Sequence, residues 1–300
     1  MFLKTLQSHP SFGLILAGFG ALAITPDTLL MRLSEMNAWS MLFWRGLQMG
    51  GMMLFIWFLC SKNRWEDFFN LTLVTCFAAI LCQAGYWTFF TLGIGETSVA
   101  LVLICLATSP LFAAIFSKIF LKEPILIITR LAIIFCFFGV VIAVTGPESV
   151  KLASGQGSGS DTIGILSSLL AAICLGASFV FLRLNKNISV FLVAGIAGII
   201  SCLVALIFMD FNMLFEGSIM LISVTGFLIL PISFAAINLA TKYTQAPNIG
   251  LLMLLETIVG PVWVWIGVGE KMTPQMIIGG FIVVTSLVFY IGSMSKNKFK

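Results

Sequence analysis

NIGLLMLLETIVGPVWVWIG, residues Asn248–Gly267, is an apolar run with a single charged residue in it, Glu256. About 20 apolar residues cross a bilayer as a helix. At ~1.5 Å per residue, Glu256 sits roughly 15 Å into its crossing. That depth is near the middle of a hydrocarbon core about 30 Å thick. A charge there costs about 2.5–3.5 kcal/mol on insertion scales, so it is expected to be paired or functional.

Working outward, runs of this kind recur along all 300 residues. The chain is 60% hydrophobic and only 9% charged, with 28 Phe and 14 Met. A soluble chain carries roughly 25% charged residues, so no soluble surface can be built from this one. Ten crossings are expected: Phe12–Met31, Ala38–Cys60, Asn70–Thr91, Ser98–Ser117, Ile125–Thr145, Thr162–Leu182, Ile188–Met209, Ser218–Ala240, Pro247–Val268 and Pro274–Met294. The first is too long for a signal peptide and lacks a small-residue cleavage site, so it reads as a retained helix. The Gly- and Ser-rich stretch 146–160 has the composition of a flexible linker.

Lys and Arg near span ends set orientation. With the N-terminus in the cytoplasm, the inner ends hold Lys4, Lys62, Arg64, Lys118, Lys122, Arg130, Arg183, Lys186, Lys242, Lys296, Lys298 and Lys300. The outer ends hold Arg32, Lys151 and Lys271. Both termini are therefore expected in the cytoplasm. The net charge of +4 follows largely from this asymmetry and not from a nucleic-acid surface.

The chain also repeats itself. Gly13–Leu33 aligns without gaps on Gly164–Leu184, both ending in Arg-Leu, and Val99–Glu123 aligns on Ala246–Glu270, both ending in Glu. Five crossings per half is an odd number, so the second half crosses in the opposite sense. Inverted repeats place a substrate site near the midplane, at the repeat interface. The expected division is a first repeat over 9–146, a linker over 147–160 and a second repeat over 161–295.

These features resemble the EamA branch of the drug/metabolite transporter superfamily. The resemblance rests on two five-span halves, on Ser109-Pro110 followed by Leu121-Lys122-Glu123-Pro124, and on Leu255-Glu256 followed by Gly269-Glu270-Lys271-Met272-Thr273-Pro274. It implies ten helices, a central cavity and alternating-access export of small metabolites, often proton-coupled. It also implies the inner membrane of a bacterium. One departure is local: the family often has Pro directly after the second-half Glu, whereas here Thr257 follows and Pro comes at Pro261.

Few polar residues lie at depth, and each has two readings. Glu256 is a protonatable coupling site or a ligand for a substrate cation, or else half of an ion pair holding helices together. Arg45, roughly 10 Å deep, cannot lose its charge. It is a counter-charge to Glu256 or Asp27, or it binds an anionic substrate group. Asp27, just after Pro26, reads as an outer vestibule residue or an interfacial charge. Gln83, Tyr86 and Trp87 fall at i, i+3 and i+4 and so share a helix face. That face suits the wall of a cavity for an organic solute, or helix packing. Pro110, Pro231 and Pro261 are expected to break or bend their helices, with Pro110 and Pro261 near the cavity. Trp263 and Trp265 read as interfacial belt residues. Asn238 reads as an inner-gate residue or a cap at headgroup level.

Other chemistries lack their residues. The single histidine, His9, precedes the first crossing, and neither HExxH nor a P-loop occurs. The seven cysteines form no CxxC and read as small apolar fillers. No cofactor or metal is expected. The expected partners are a small-molecule substrate, protons and the lipid bilayer, with a homodimer left open. The reading is a secondary transporter. The rivals are a membrane-embedded enzyme acting on lipid-linked substrates, for which Glu66 and Asp67 are the one loop cluster of candidate catalytic groups, and a non-transporting membrane subunit.

Overall fold

Pro26 interrupts the first crossing. In the computed structural model this crossing is helix over Phe12–Ala23 and again over Asp27–Leu33, with a turn between. The Thr25 hydroxyl donates to the Leu22 carbonyl at 2.9 Å and closes the broken end. The structure describes residues 12–61, 63–70, 74–122, 127–144, 161–185, 187, 189–269 and parts of 273–289.

Among the described residues, eight helical stretches are long and apolar enough to cross a membrane. They are Phe12–Leu33, Ala38–Cys60, Val74–Glu96, Val99–Leu121, Thr162–Leu184, Val190–Phe208, Ile219–Ala240 and Ala246–Val268. A further helix, Ile127–Val144, takes the place of the expected fifth crossing. The expected tenth is helical wherever residues 274–289 are described. Spans are counted below in chain order, with Ile127–Val144 as the fifth. The linker 147–160 lies outside the described residues.

The third span is helix over Val74–Glu96, where Asn70–Thr91 was expected, and Arg64–Asn70 is a short helix ahead of it. Its Asp67 carboxylate accepts hydrogen bonds from Trp57 Nε1 (2.8 Å) and the Ser61 hydroxyl (2.6 Å), which tie it to the end of the second span. Trp65, Phe68 and Phe69 are left exposed on it, as befits a helix lying at an interface. Pro110 sits in the first turn of Ser109–Phe116, after a break at Ala107-Thr108. Ahead of Pro231, the eighth span widens into a π-turn over Thr225–Ile229, which accommodates the missing N–H. The ninth span runs through Pro261 as one helix. Since proline has no N–H, the Thr257 carbonyl one turn earlier is left without its helical partner.

The packing follows the repeat. The sixth span lies along the third and fourth, and the first span lies along the eighth and ninth. The second and seventh cross at glycine: a Cβ on Gly46 would lie 2.8 Å from the Gly198 carbonyl oxygen, so any larger residue would force the backbones apart. The fourth and ninth meet in a reciprocal pair of contacts. Thr257 donates to the Leu103 carbonyl at 3.1 Å, while Gly250 lies against Pro110. Under the alignment of Val99–Glu123 on Ala246–Glu270, Leu103 corresponds to Gly250 and Pro110 to Thr257.

Candidate functional site

Two ionised side chains from the first and second spans form the core of the site. Arg45 Nη1 donates to Asp27 Oδ1 at 2.9 Å and Nη2 donates to Oδ2 at 2.8 Å. This forked geometry is the strongest arrangement available to a guanidinium and a carboxylate. Asp27 is fully buried, and Arg45 is 6% exposed. The break at Pro26 lets Asp27 start a new helical turn inside the bundle. Asp27 is thus neither a vestibule residue nor an interfacial charge, and Arg45 has Asp27, not Glu256, as its partner.

Glu256 lies on the ninth span, fully buried. Neither of its carboxylate oxygens has a hydrogen-bond partner among the described residues. It lies within electrostatic reach of Asp27, Arg45 and the Tyr86 hydroxyl. A buried carboxylate without a partner is costly in its charged form. Its charged form therefore lacks the hydrogen bonds that burial demands, although the Arg45 charge lies within reach.

The third span contributes Gln83, Tyr86 and Trp87, all buried. The Trp87 ring meets Phe234 of the eighth span edge-on at 5.5 Å, and the Tyr86 ring meets the same Phe234 at 5.8 Å. Gln83 is one turn from Trp87, and Asn238 is one turn from Phe234. The third and eighth spans run in opposite directions, so these two amides lie on the same side of the aromatic contact. Neither amide has a hydrogen-bond partner among the described residues, and Trp87 Nε1 has none either. Buried polar groups are nearly always satisfied. A group of unpaired donors and acceptors beside an aromatic wall is what a site for a polar organic ligand requires.

The sequence reading picked out Glu256, Arg45, Asp27, Gln83, Tyr86 and Trp87. The structure joins Asp27 to Arg45, brings Glu256 and Tyr86 within their electrostatic reach, and seats Tyr86 and Trp87 on Phe234. Phe234 went unnoticed because one more aromatic in an apolar run gives no signal. Thr28 and Gln48 were missed too, and each has a buried oxygen with no partner. Pro110 faces Gly250 on the ninth span, and Pro261 lies five residues beyond Glu256. Trp263 Nε1 donates to the Thr25 hydroxyl at 3.2 Å, and both Trp263 and Trp265 are exposed. The six cysteines whose side chains are described are all free.

A pocket opens at each end of the bundle. The first, about 480 Å³, is bordered by Arg32, Glu35, Asn37 and Glu96, which belong to ends assigned outside by the Lys/Arg asymmetry. The second, about 540 Å³, is bordered by Trp57, Asp67, Asn187, Ser189 and Lys242, which belong to ends assigned inside. Burial holds the Lys242 ammonium below its ordinary range, and the Asp67 carboxylate opposes that shift.

Fold and site together define a polytopic helical membrane protein with ionisable groups sealed in its core. The EamA-like transporter family matches residues 11–145 and again residues 162–292, and the chain belongs to that family. No curated protein matches it in sequence. A crystal structure of another protein superposes with a TM-score of 0.70, covering 93% of this chain and 96% of its own, at 14% identity. At that identity the likeness concerns the fold alone.

Proposed function

We propose that this chain is a secondary active transporter that exports a small organic metabolite by alternating access, driven by protons. The carrying observation is Glu256: fully buried, unpartnered among the described residues, and beside an Asp27–Arg45 pair that already satisfies itself. Such a carboxyl can exchange a proton for a ligand as its surroundings change from dry to wet. The unpaired amides of Gln83 and Asn238 and the aromatic rings around Phe234 supply recognition. The working unit is two inverted repeats, 9–146 and 161–295, joined by 147–160. The Lys/Arg asymmetry supports cytoplasmic termini, and the bacterial inner membrane is carried over from the family resemblance.

The test starts from purified protein and a thermal-shift screen across metabolite classes. A ligand at 100 times its Kd adds about 2.7 kcal/mol. A stabilising ligand is then loaded into proteoliposomes for counterflow, and the proposal expects labelled ligand to accumulate. Chemical conversion of that ligand would point to a membrane enzyme instead. Binding without flux would point to a non-transporting subunit.

A further inference from the structure

The third and eighth spans end in the same unsolved problem. The last carbonyls of a helix have no intrahelical donor, and a nearby cation is the favourable partner for them. After the third span, which ends at Glu96, Arg32 Nη2 donates to the Thr97 carbonyl. After the eighth, which ends at Ala240, Arg183 Nη1 donates to the carbonyls of Thr241 (3.2 Å) and Thr244. The repeat alignment equates Arg32 with Arg183. Extended by two residues, the alignment of Val99 on Ala246 equates Thr97 with Thr244. The same clasp is built twice, once at each end of the bundle, as inversion of the repeat requires.

What each clasp joins gives it meaning. The first span packs on the eighth and ninth, and the sixth packs on the third and fourth. Within these two groups the helices touch at glycine. A Cβ on Gly13 would lie 3.1 Å from Thr244 Cβ, and one on Gly164 would lie 2.7 Å from Thr97 Cβ. Each clasp runs between the groups: Arg32 from the first span to the turn after the third, Arg183 from the sixth span to the turn after the eighth. Between them, the reciprocal contact of the fourth and ninth spans stands midway as a pivot. We propose that Arg32 and Arg183 are positioning residues for transport. They latch the two helix groups together at opposite faces, so that opening one clasp opens one side of the central site.

The proposal rests on the alternating-access reading, but its test does not use transport. Thr28 lies one helical turn deeper than Arg32, and Asn248 one turn deeper than Thr244. Both are buried, at 0% and 3% exposure. Thr28→Cys and Asn248→Cys are introduced separately into a chain with its seven native cysteines replaced. Each is reacted with a membrane-impermeant maleimide in right-side-out and inside-out vesicles. Loss of at least one charged hydrogen bond at either arginine is expected to shift the open population about tenfold or more. Arg32→Ala should therefore raise labelling of Thr28→Cys about tenfold from the outside and leave Asn248→Cys protected. Arg183→Ala should do the reverse from the inside. Arg→Lys at either position should restore most of the protection. If an alanine variant does not accumulate, Arg→Gln is read in the same way.

Labelling of both probes rising together in either variant would mean that the arginines only hold the fold, and would overturn the proposal. So would an unchanged rate at both probes. Opposite responses with the two compartments exchanged would support the clasps and overturn the cytoplasmic placement of the termini.

Discussion

Asp27 and Glu256 are both carboxylates sealed in the helix core, and their surroundings treat them in opposite ways. Asp27 accepts two hydrogen bonds from one guanidinium, and its charge is answered inside the first half of the chain. Glu256, in the second half, has no partner on either oxygen among the described residues. The first arrangement is fixed, since an arginine keeps its charge and the forked pair is complete. The second is unfinished among the described residues, and the proposed function completes it with a proton or a ligand. Thus a carboxylate at depth is not by itself a functional group. What distinguishes the two is whether the protein has already satisfied it.

The largest expected effect probes the finished pair. Removing one partner of a buried ion pair costs about 3–5 kcal/mol, because the other charge stays buried and unpaired. Arg45→Ala should therefore lower the yield of folded protein severely, measured by size-exclusion in detergent. Adding Asp27→Asn should restore the yield, whereas adding Glu256→Gln should not. Rescue by Glu256→Gln instead would mean that Arg45 serves Glu256, and the contrast between the two carboxylates would collapse.

A smaller effect, of opposite sign, is expected on the unfinished side. A buried amide without partners costs about 1–3 kcal/mol. Gln83→Leu fills a similar volume without that penalty, so its thermal stability should match or exceed the wild type by about 1 kcal/mol. Ligand binding, followed by the same thermal shift, should fall. A loss of stability in Gln83→Leu would mean that this amide is satisfied within the fold, and it would then belong with Asp27 rather than with Glu256.

Much of this was legible in the sequence, because bilayer thickness and charge cost impose a pattern on the chain. The crossings, the central depth of Glu256 and the Arg32–Arg183 correspondence all follow from run lengths and a gapless alignment. The partner of Arg45 was not legible. Both Asp27 and Glu256 lay at suitable depths, and the choice depends on the rotation and tilt of three helices. Asp27 was read as a vestibule residue or an interfacial charge because nothing in the sequence showed that the break at Pro26 turns it into the bundle. The Arg64–Asn70 helix went unforeseen because Phe68 and Phe69 lead straight into the apolar run expected from Asn70. The contacts of Phe234 with Tyr86 and Trp87 were hidden for the same reason: an aromatic in an apolar crossing looks like any other until its neighbours are known.

The central claim is that Glu256 is kept unpartnered so that it can titrate during transport. Glu256→Gln preserves size and removes titration, and it also removes the unpartnered charge, so the variant should fold. In proteoliposomes loaded with a transported ligand, the account predicts that Glu256→Gln retains ligand exchange across the membrane but no longer accumulates ligand under an imposed pH gradient. Accumulation at the wild-type level in Glu256→Gln under that gradient would contradict it.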